Sequence, residues 1–178
     1  MAKLRGFRMT QNRELLASRV FRVHEETWRA PDGGIFTRQN IIHPGAVAIL
    51  PITAKGTYVF IRQFRPAARD WILEIPAGTL EPGETPLACA KRELIEEIGF
   101  AARAWKKLGK IFTAPGFCTE QIHLFEATGL KPATAAKDED EHIELAEMTG
   151  VEVRGAVKRG EIRDGKSLSA LFLCGRLK

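Results

Sequence analysis

The chain has 178 residues, 44% of them hydrophobic and 28% charged, with 27 Lys and Arg against 22 Asp and Glu for a net charge of +5. This is the size and balance of one folded domain with at most a small appendage, and it excludes a disordered or collagen-like chain. The longest apolar stretches, 46–52 and 168–175, fall far short of the ~20 residues that a bilayer crossing needs, and the basic N-terminus has no apolar leader core.

The three cysteines, Cys89, Cys118 and Cys174, are odd in number, widely spaced and without a Cys-x-x-Cys pair. A disulfide framework or zinc finger is therefore not expected. Packing is the simplest role for them, and unpaired thiols suit a cytoplasmic protein. The positive excess can serve nucleic acid, an anionic small molecule or solubility alone. The basic residues are scattered, which speaks against nucleic acid.

In chain order, residues 1–12 are polar and basic and read as a loose tail. Residues 13–43 read as a small antiparallel unit, with strand character at 20–23 and around Thr27 and Trp28. A turn at Pro31-Asp32-Gly33-Gly34 leads to a returning strand over 35–42. After the break at His43-Pro44-Gly45, the run 47–52 is almost continuously apolar, as in a strand buried on both faces. Further strands are expected at 57–64, 71–75, 105–112 and 121–128, with an acidic loop over 131–142. Helices are expected at 151–159 and 166–177, with Thr149 and Asp164 as start signals.

The best-defined element is a helix after Thr85. Thr85 is a suitable N-cap, Pro86 suits the first helical position and Gly99 suits the stop. Between them Leu87, Ala90, Leu94 and Ile98 recur at helical spacing and form one apolar stripe. Glu93 and Glu97 are four residues apart and stack beside that stripe, and Glu96 points to the same side. Like charges at this spacing cost a bare helix a few tenths of a kcal/mol per pair. A hard divalent cation, Mg²⁺ or Mn²⁺, would offset that cost through oxygen ligands. Arg92 can reach a neighbouring glutamate and fix its rotamer.

An isolated Glu-x-x-Glu-Glu would read as a solvated charged face. Here, however, Glu74-Ile75-Pro76-Ala77-Gly78 ends a strand, and Glu81-Pro82-Gly83-Glu84 leads into the helix. A strand, a glycine-bearing loop and a helix with clustered carboxylates make a ready site for metal-bound phosphate.

Together, Gly78, Glu84, Arg92, Glu93, Leu94, Glu96, Glu97, Gly99 and Phe100 resemble the Nudix hydrolase signature with no departure. Chance agreement of the fixed identities at a given start is on the order of 10⁻⁸ at average composition. The resemblance runs from about Pro44 to the C-terminus and more weakly over 13–43. It implies an α/β fold, an α/β/α sandwich around a mixed sheet, with 44–178 as the hydrolase domain and 1–43 as the tail and small β unit. It also implies Mg²⁺-dependent hydrolysis of a nucleoside diphosphate linked to another moiety. The implied metal ligands are Glu93, Glu96, Glu97 and the Ala77 carbonyl, while Glu84 more often supports the loop.

Pro115, about fifteen residues past this box, together with the text of 74–78 and 115–120, is similar to the ADP-ribose pyrophosphatase subfamily. That likeness implies AMP and ribose 5-phosphate as products. It implies Glu139, in the acidic loop, as the general base and Glu141 as a further metal ligand, with a helix glutamate as the alternative base. Arg65, Phe21, Arg38, Glu120, Gly78 and Pro115 become candidates for contact with the substrate. In the subfamily the N-terminal unit swaps onto a partner, which implies a homodimer. The rivals are a hydrolase of another nucleoside diphosphate sugar, a non-catalytic ADP-ribose-binding module and an RNA-decapping protein. The intact glutamates and the lack of spare length speak against the module, and the scattered charge against RNA.

Overall fold

The structure is a computed structural model that describes residues 4–134 and 143–176. The chain divides into two compact units, one of Met1–Gly45 with Phe112–Glu120 and one of Ala46–Ile111 with Gln121–Lys178.

The first unit is a three-stranded antiparallel sheet of β1 (Arg8–Ala17), β2 (Arg22–Arg29) and β3 (Ile35–Ile42), in that order. The loose tail expected over 1–12 is corrected here, since β1 begins at Arg8 and pairs with β2 along its length. No apolar alternation announces β1, because every one of its residues is exposed. Backbone bonds and polar cross-strand pairs hold it, among them Arg13 to Glu25 at 2.8 Å and Thr10 Oγ1 to the Thr27 carbonyl at 3.1 Å. The segment Phe112–Glu120 joins this unit: Ile41 N–H donates to the Phe117 carbonyl at 2.7 Å, and Thr119 N–H donates to the Ile41 carbonyl at 2.9 Å.

The second unit is built on β4 (Ala46–Ile52), all of whose residues are buried. Around it lie β5 (Tyr58–Arg65), β6 (Asp70–Glu74), β7 (Ala77–Thr79), β8 (Phe100–Phe112), β9 (Gln121–Pro132) and β10 (Ile143–Met148). The main order is β10-β5-β4-β9-β8, with β6 on β5 and β7 on β4. The β4–β9 pair is parallel and β4–β7 antiparallel, so the sheet is mixed. The expected 71–75 and 121–128 strands appear with shifted ends, and β8 starts at Phe100 rather than Trp105. Strands β7 and β10 lie where the sequence suggested none. The first is too short for a period, and the second alternates Ile, Leu and Glu only weakly.

Alternate residues of β4 face opposite layers. Val47 and Ile49 pack with Cys89, Ala90, Leu94 and Ile98 of α1 (Pro86–Ile98). Ala48 and Leu50 pack with Val153 and Ala156 of α2 (Gly150–Lys158) and with Ala170 and Leu171 of α3 (Gly165–Cys174). This is the expected α/β/α sandwich. All three helix starts stand where the sequence put them. Thr85 caps α1, Thr149 forms a capping box with Glu152, and Asp164 caps α3. Gly99 ends α1 in the left-handed region at φ 72°, which costs a side-chain-bearing residue about 1 kcal/mol or more. Helix α3 ends at Cys174, short of the expected 177. Among the described residues no helix is long and apolar enough to cross a membrane.

One member of the apolar stripe is misplaced. Leu87 is 38% exposed, whereas Leu94 is fully buried. Leu87 has the right azimuth but stands on the first turn, and Cys89 takes its place in the core. Leu94→Ala should therefore cost about 2–5 kcal/mol and Leu87→Ala well under about 1 kcal/mol in urea unfolding. Equal losses would show that the first turn is packed after all.

Candidate active site

Strand β7 lies against β4, with Ala48 opposite Ala77 and Val47 opposite Gly78. This places the chain between β6 and α1 over the carboxylate face of the helix. Glu97 is 3% exposed, and its Oε2 accepts the Ala77 N–H at 2.9 Å. Gly78 leaves room for Glu93, because an added Cβ would stand 1.8 Å from the Glu93 carboxyl and displace it from its present position.

Arg92 gathers the remaining acids. Its Nε and Nη2 donate to both oxygens of Glu84 at 3.1 Å. Its Nη1 donates to Glu93 Oε1 and to Glu96 Oε2, each at 2.8 Å. Nη2 also reaches the Thr79 carbonyl at 3.3 Å. The guanidinium is thereby pushed above its ordinary pKa, chiefly by Glu84. Glu84 also accepts the Glu81 N–H at 3.2 Å, so it braces the loop as expected. Cys89, read from sequence as packing alone, lies beneath with its Sγ 3.5 Å from the Thr79 carbonyl. Burial, then the charges of Glu84 and Glu93, push its thiol up to about 12.

The electron-pair donors gathered on this face are carboxylate and carbonyl oxygens, the chemistry of a hard divalent cation. Among the described residues no three acidic, histidine or cysteine side chains stand close enough to enclose an ion in this arrangement. Arg92 draws the Glu93 and Glu96 oxygens to one nitrogen, so a cation already gathers them. The donor set fits such an ion in kind.

Behind this loop Glu74, 2% exposed, accepts from Arg65 Nε at 2.6 Å and from Lys166 Nζ. Sequence reasoning gave Glu74 no role. A charged residue inside the apolar run Trp71-Ile-Leu-Glu-Ile was the available signal.

The other candidates belong to the first unit. Phe21 is half-buried and lines a cavity of about 280 Å³ with Arg19, Arg22 and His43. Arg38 is exposed, lies 5.2 Å from the Phe36 ring centroid and donates to the Thr37 carbonyl. Glu120 lies 3.7 Å from His43 Nδ1. Pro115 is exposed in a turn closed by Cys118 N–H to the Ala114 carbonyl at 2.8 Å. Glu139 and Glu141 lie outside the described residues.

A NUDIX domain family model matches residues 42–171. The chain belongs to the Nudix family. Nudix hydrolases in general depend on divalent metal ions. The chain is 37% identical over 173 residues to a methanol dehydrogenase activator of Bacillus methanolicus, covering 96% of this chain and 94% of the relative. It is 36% identical over 160 residues to an ADP-ribose pyrophosphatase of Bacillus subtilis, covering 89% and 86%. It is 34% identical over 174 residues to a GDP-mannose pyrophosphatase of Escherichia coli K12, covering 89% and 90%. A crystal structure of an ADP compounds hydrolase superposes with a TM-score of 0.85 over 98% of this chain and 95% of that one. At 24% identity it speaks for the fold.

The Nudix box carries its own pH signature. Arg92 holds the Glu84 carboxyl below the usual glutamate value of 4.5. A depressed carboxyl contributes stability above its unfolded value and loses it as pH falls through the lower folded value. Urea unfolding of wild type and Glu84→Gln should differ most near neutrality and converge below about pH 4. A difference that stays constant down to acid would mean that Arg92 does not favour the charged form.

Proposed function

We propose that this protein is an Mg²⁺-dependent ADP-ribose pyrophosphatase that hydrolyses the diphosphate to AMP and ribose 5-phosphate. The observation that carries this reading is the intact Nudix box on α1, held over the Ala77–Gly78 backbone with every glutamate present. The Bacillus subtilis relative supports the sugar nucleotide.

Glu93, Glu96, Glu97, the Ala77 carbonyl and Glu141 would hold Mg²⁺, or Mn²⁺ in its place. The ion supplies charge neutralisation for the diphosphate and a lowered pKa for the attacking water. Glu139 takes the proton, or a helix glutamate does so. Arg92 keeps Glu84, Glu93 and Glu96 together and so fixes the angle at which their oxygens face the substrate. Arg65, anchored by Nε on Glu74, presents its Nη groups to phosphate. Gly78 lets the backbone approach the diphosphate. Phe21, Arg38, Glu120 and Pro115 are our candidates for the nucleoside and terminal ribose. The three cysteines are unbonded, which supports a cytoplasmic setting.

A second reading is hydrolysis of another nucleoside diphosphate sugar, favoured by the Escherichia coli relative. The box contacts only the diphosphate, so a substrate panel decides. Purified protein with Mg²⁺ should convert ADP-ribose to AMP and ribose 5-phosphate faster than GDP-mannose, other nucleotide sugars, nucleoside triphosphates or capped RNA. Glu97→Gln should lower turnover by roughly 10²-fold or more, with folding nearly intact. A preference for GDP-mannose would select the second reading, and no turnover of any compound would refute hydrolysis.

We also propose a homodimer in which residues 1–43 help to complete the partner's nucleotide pocket. Strand β1 is exposed along its whole length, with Met9 at 47% and Leu16 at 51%, and Ile35 is 62% exposed. Such apolar exposure on a thin sheet needs a cover. Ile41 and Ile42, at the far end of the same strand as Ile35, are half-buried. In sedimentation the full chain should run as a dimer at micromolar concentration. Leu16→Glu with Ile35→Glu should give a monomer with KM raised about tenfold. A fully active wild-type monomer would sink the shared pocket and leave hydrolysis untouched.

A further inference from the structure

The backbone between β6 and β7 carries the Ala77 carbonyl and Gly78, and it is pinned from several directions. The Pro76 carbonyl accepts the Ile49 N–H at 2.8 Å, and the Ala77 N–H donates to Glu97. Further anchors come from the first turn of α3, 92 residues later in the chain. The Ile75 N–H donates to Ser167 Oγ at 2.9 Å, and Ser167 is wholly buried. The neighbouring Glu74 carboxylate lies between Arg65 and Lys166. Lys166 is oriented in turn by Asp164 Oδ1 at 3.0 Å, the same oxygen that caps α3 through the Ser167 N–H.

Burying a carboxylate against two cations is costly, and well-packed apolar residues usually do as well or better for stability. Leu73 and Ile75, on either side, show that this strand otherwise packs with apolar residues. We propose that Lys166 and Ser167 are positioning residues for the hydrolytic site. Ser167 fixes the Ile75 amide and Lys166 fixes Glu74, and together they set where the Ala77 carbonyl stands relative to Glu97. Through the same Glu74 carboxylate, Lys166 also aims Arg65. Ser167 is buried and the Lys166 ammonium is engaged by Glu74 and Asp164, so both act only through the groups they hold. The inference rests on the Nudix hydrolase reading above.

The test compares Lys166→Met, Lys166→Arg and Ser167→Ala with wild type. It reads kcat and KM for ADP-ribose, Mn²⁺ affinity by paramagnetic resonance of the free ion, and folded fraction by circular dichroism at the assay temperature. Lys166→Met should lose kcat and Mn²⁺ affinity by about tenfold or more each, with KM within about threefold. Lys166→Arg should recover most of both, and Ser167→Ala should fall in the same direction while folded. Wild-type Mn²⁺ affinity and kcat in folded Lys166→Met would overturn the proposal. So would a raised KM with unchanged kcat and unchanged Mn²⁺ affinity, which would leave Lys166 acting through Arg65 on substrate binding alone and not on the Ala77 carbonyl. Should Lys166→Met not fold, Ser167→Ala decides by the same two readouts. A wild-type protein that leaves every nucleotide sugar intact would refute the hydrolase reading instead, and the Mn²⁺ comparison would still decide the positioning.

Discussion

A single guanidinium makes the carboxylate face of α1 tenable. Glu84, Glu93 and Glu96 all converge on Arg92, and each lies within 3.1 Å of one of its nitrogens. Without that cation the acids would repel one another on a partly buried surface. Each such repulsion is worth a few tenths of a kcal/mol on an exposed helix and more where water is partly excluded. The arrangement therefore does more than stabilise the helix. It holds negative oxygens at high density beside the backbone turn of Ala77 and Gly78.

The sheet supplies the geometry on which this charge cluster depends. Because β4 is buried on both faces, it can be sandwiched between α1 and the α2/α3 pair, and a one-residue slip would send each side chain into the opposite layer, where its packing partners differ. Strand β7 pairs with its first residues, so the same rigid strand locates Ala77 and Gly78. The helix is fixed to that strand by Leu94 and Ile98 in the core and to the turn by Glu97 on the Ala77 amide. The carboxylates and the backbone they face are thus referred to one strand.

Local chemistry makes α1 legible in the amino-acid sequence alone: Thr85, Pro86 and Gly99 mark its ends, and the glutamate spacing marks its charged face. The same holds for the caps Thr149 and Asp164. The features that escape such a reading are made by distant pairing. Strand β1 has no apolar period, because both of its faces are solvated and its partner strand supplies the order. Leu87 fits the helical stripe by angle, yet the number of residues before the sheet begins to cover the helix is a tertiary fact. The Glu74 clamp joins residues 92 apart, so no spacing rule reaches it. The box glutamates are legible as a set. Which of their oxygens face Arg92 and which face the Ala77 amide depends on how β7 lies on β4.

Cys89 sits against the Thr79 carbonyl and Arg92, in the heart of the box. Thiols react as thiolates, and a thiol that burial and the charges of Glu84 and Glu93 push up to about 12 stays protonated at neutral pH. Of the three thiols Cys118 alone is not buried. Oxidants and alkylating reagents therefore meet the protein first at Cys118, on the other unit, before they reach the buried sulfur beneath the box.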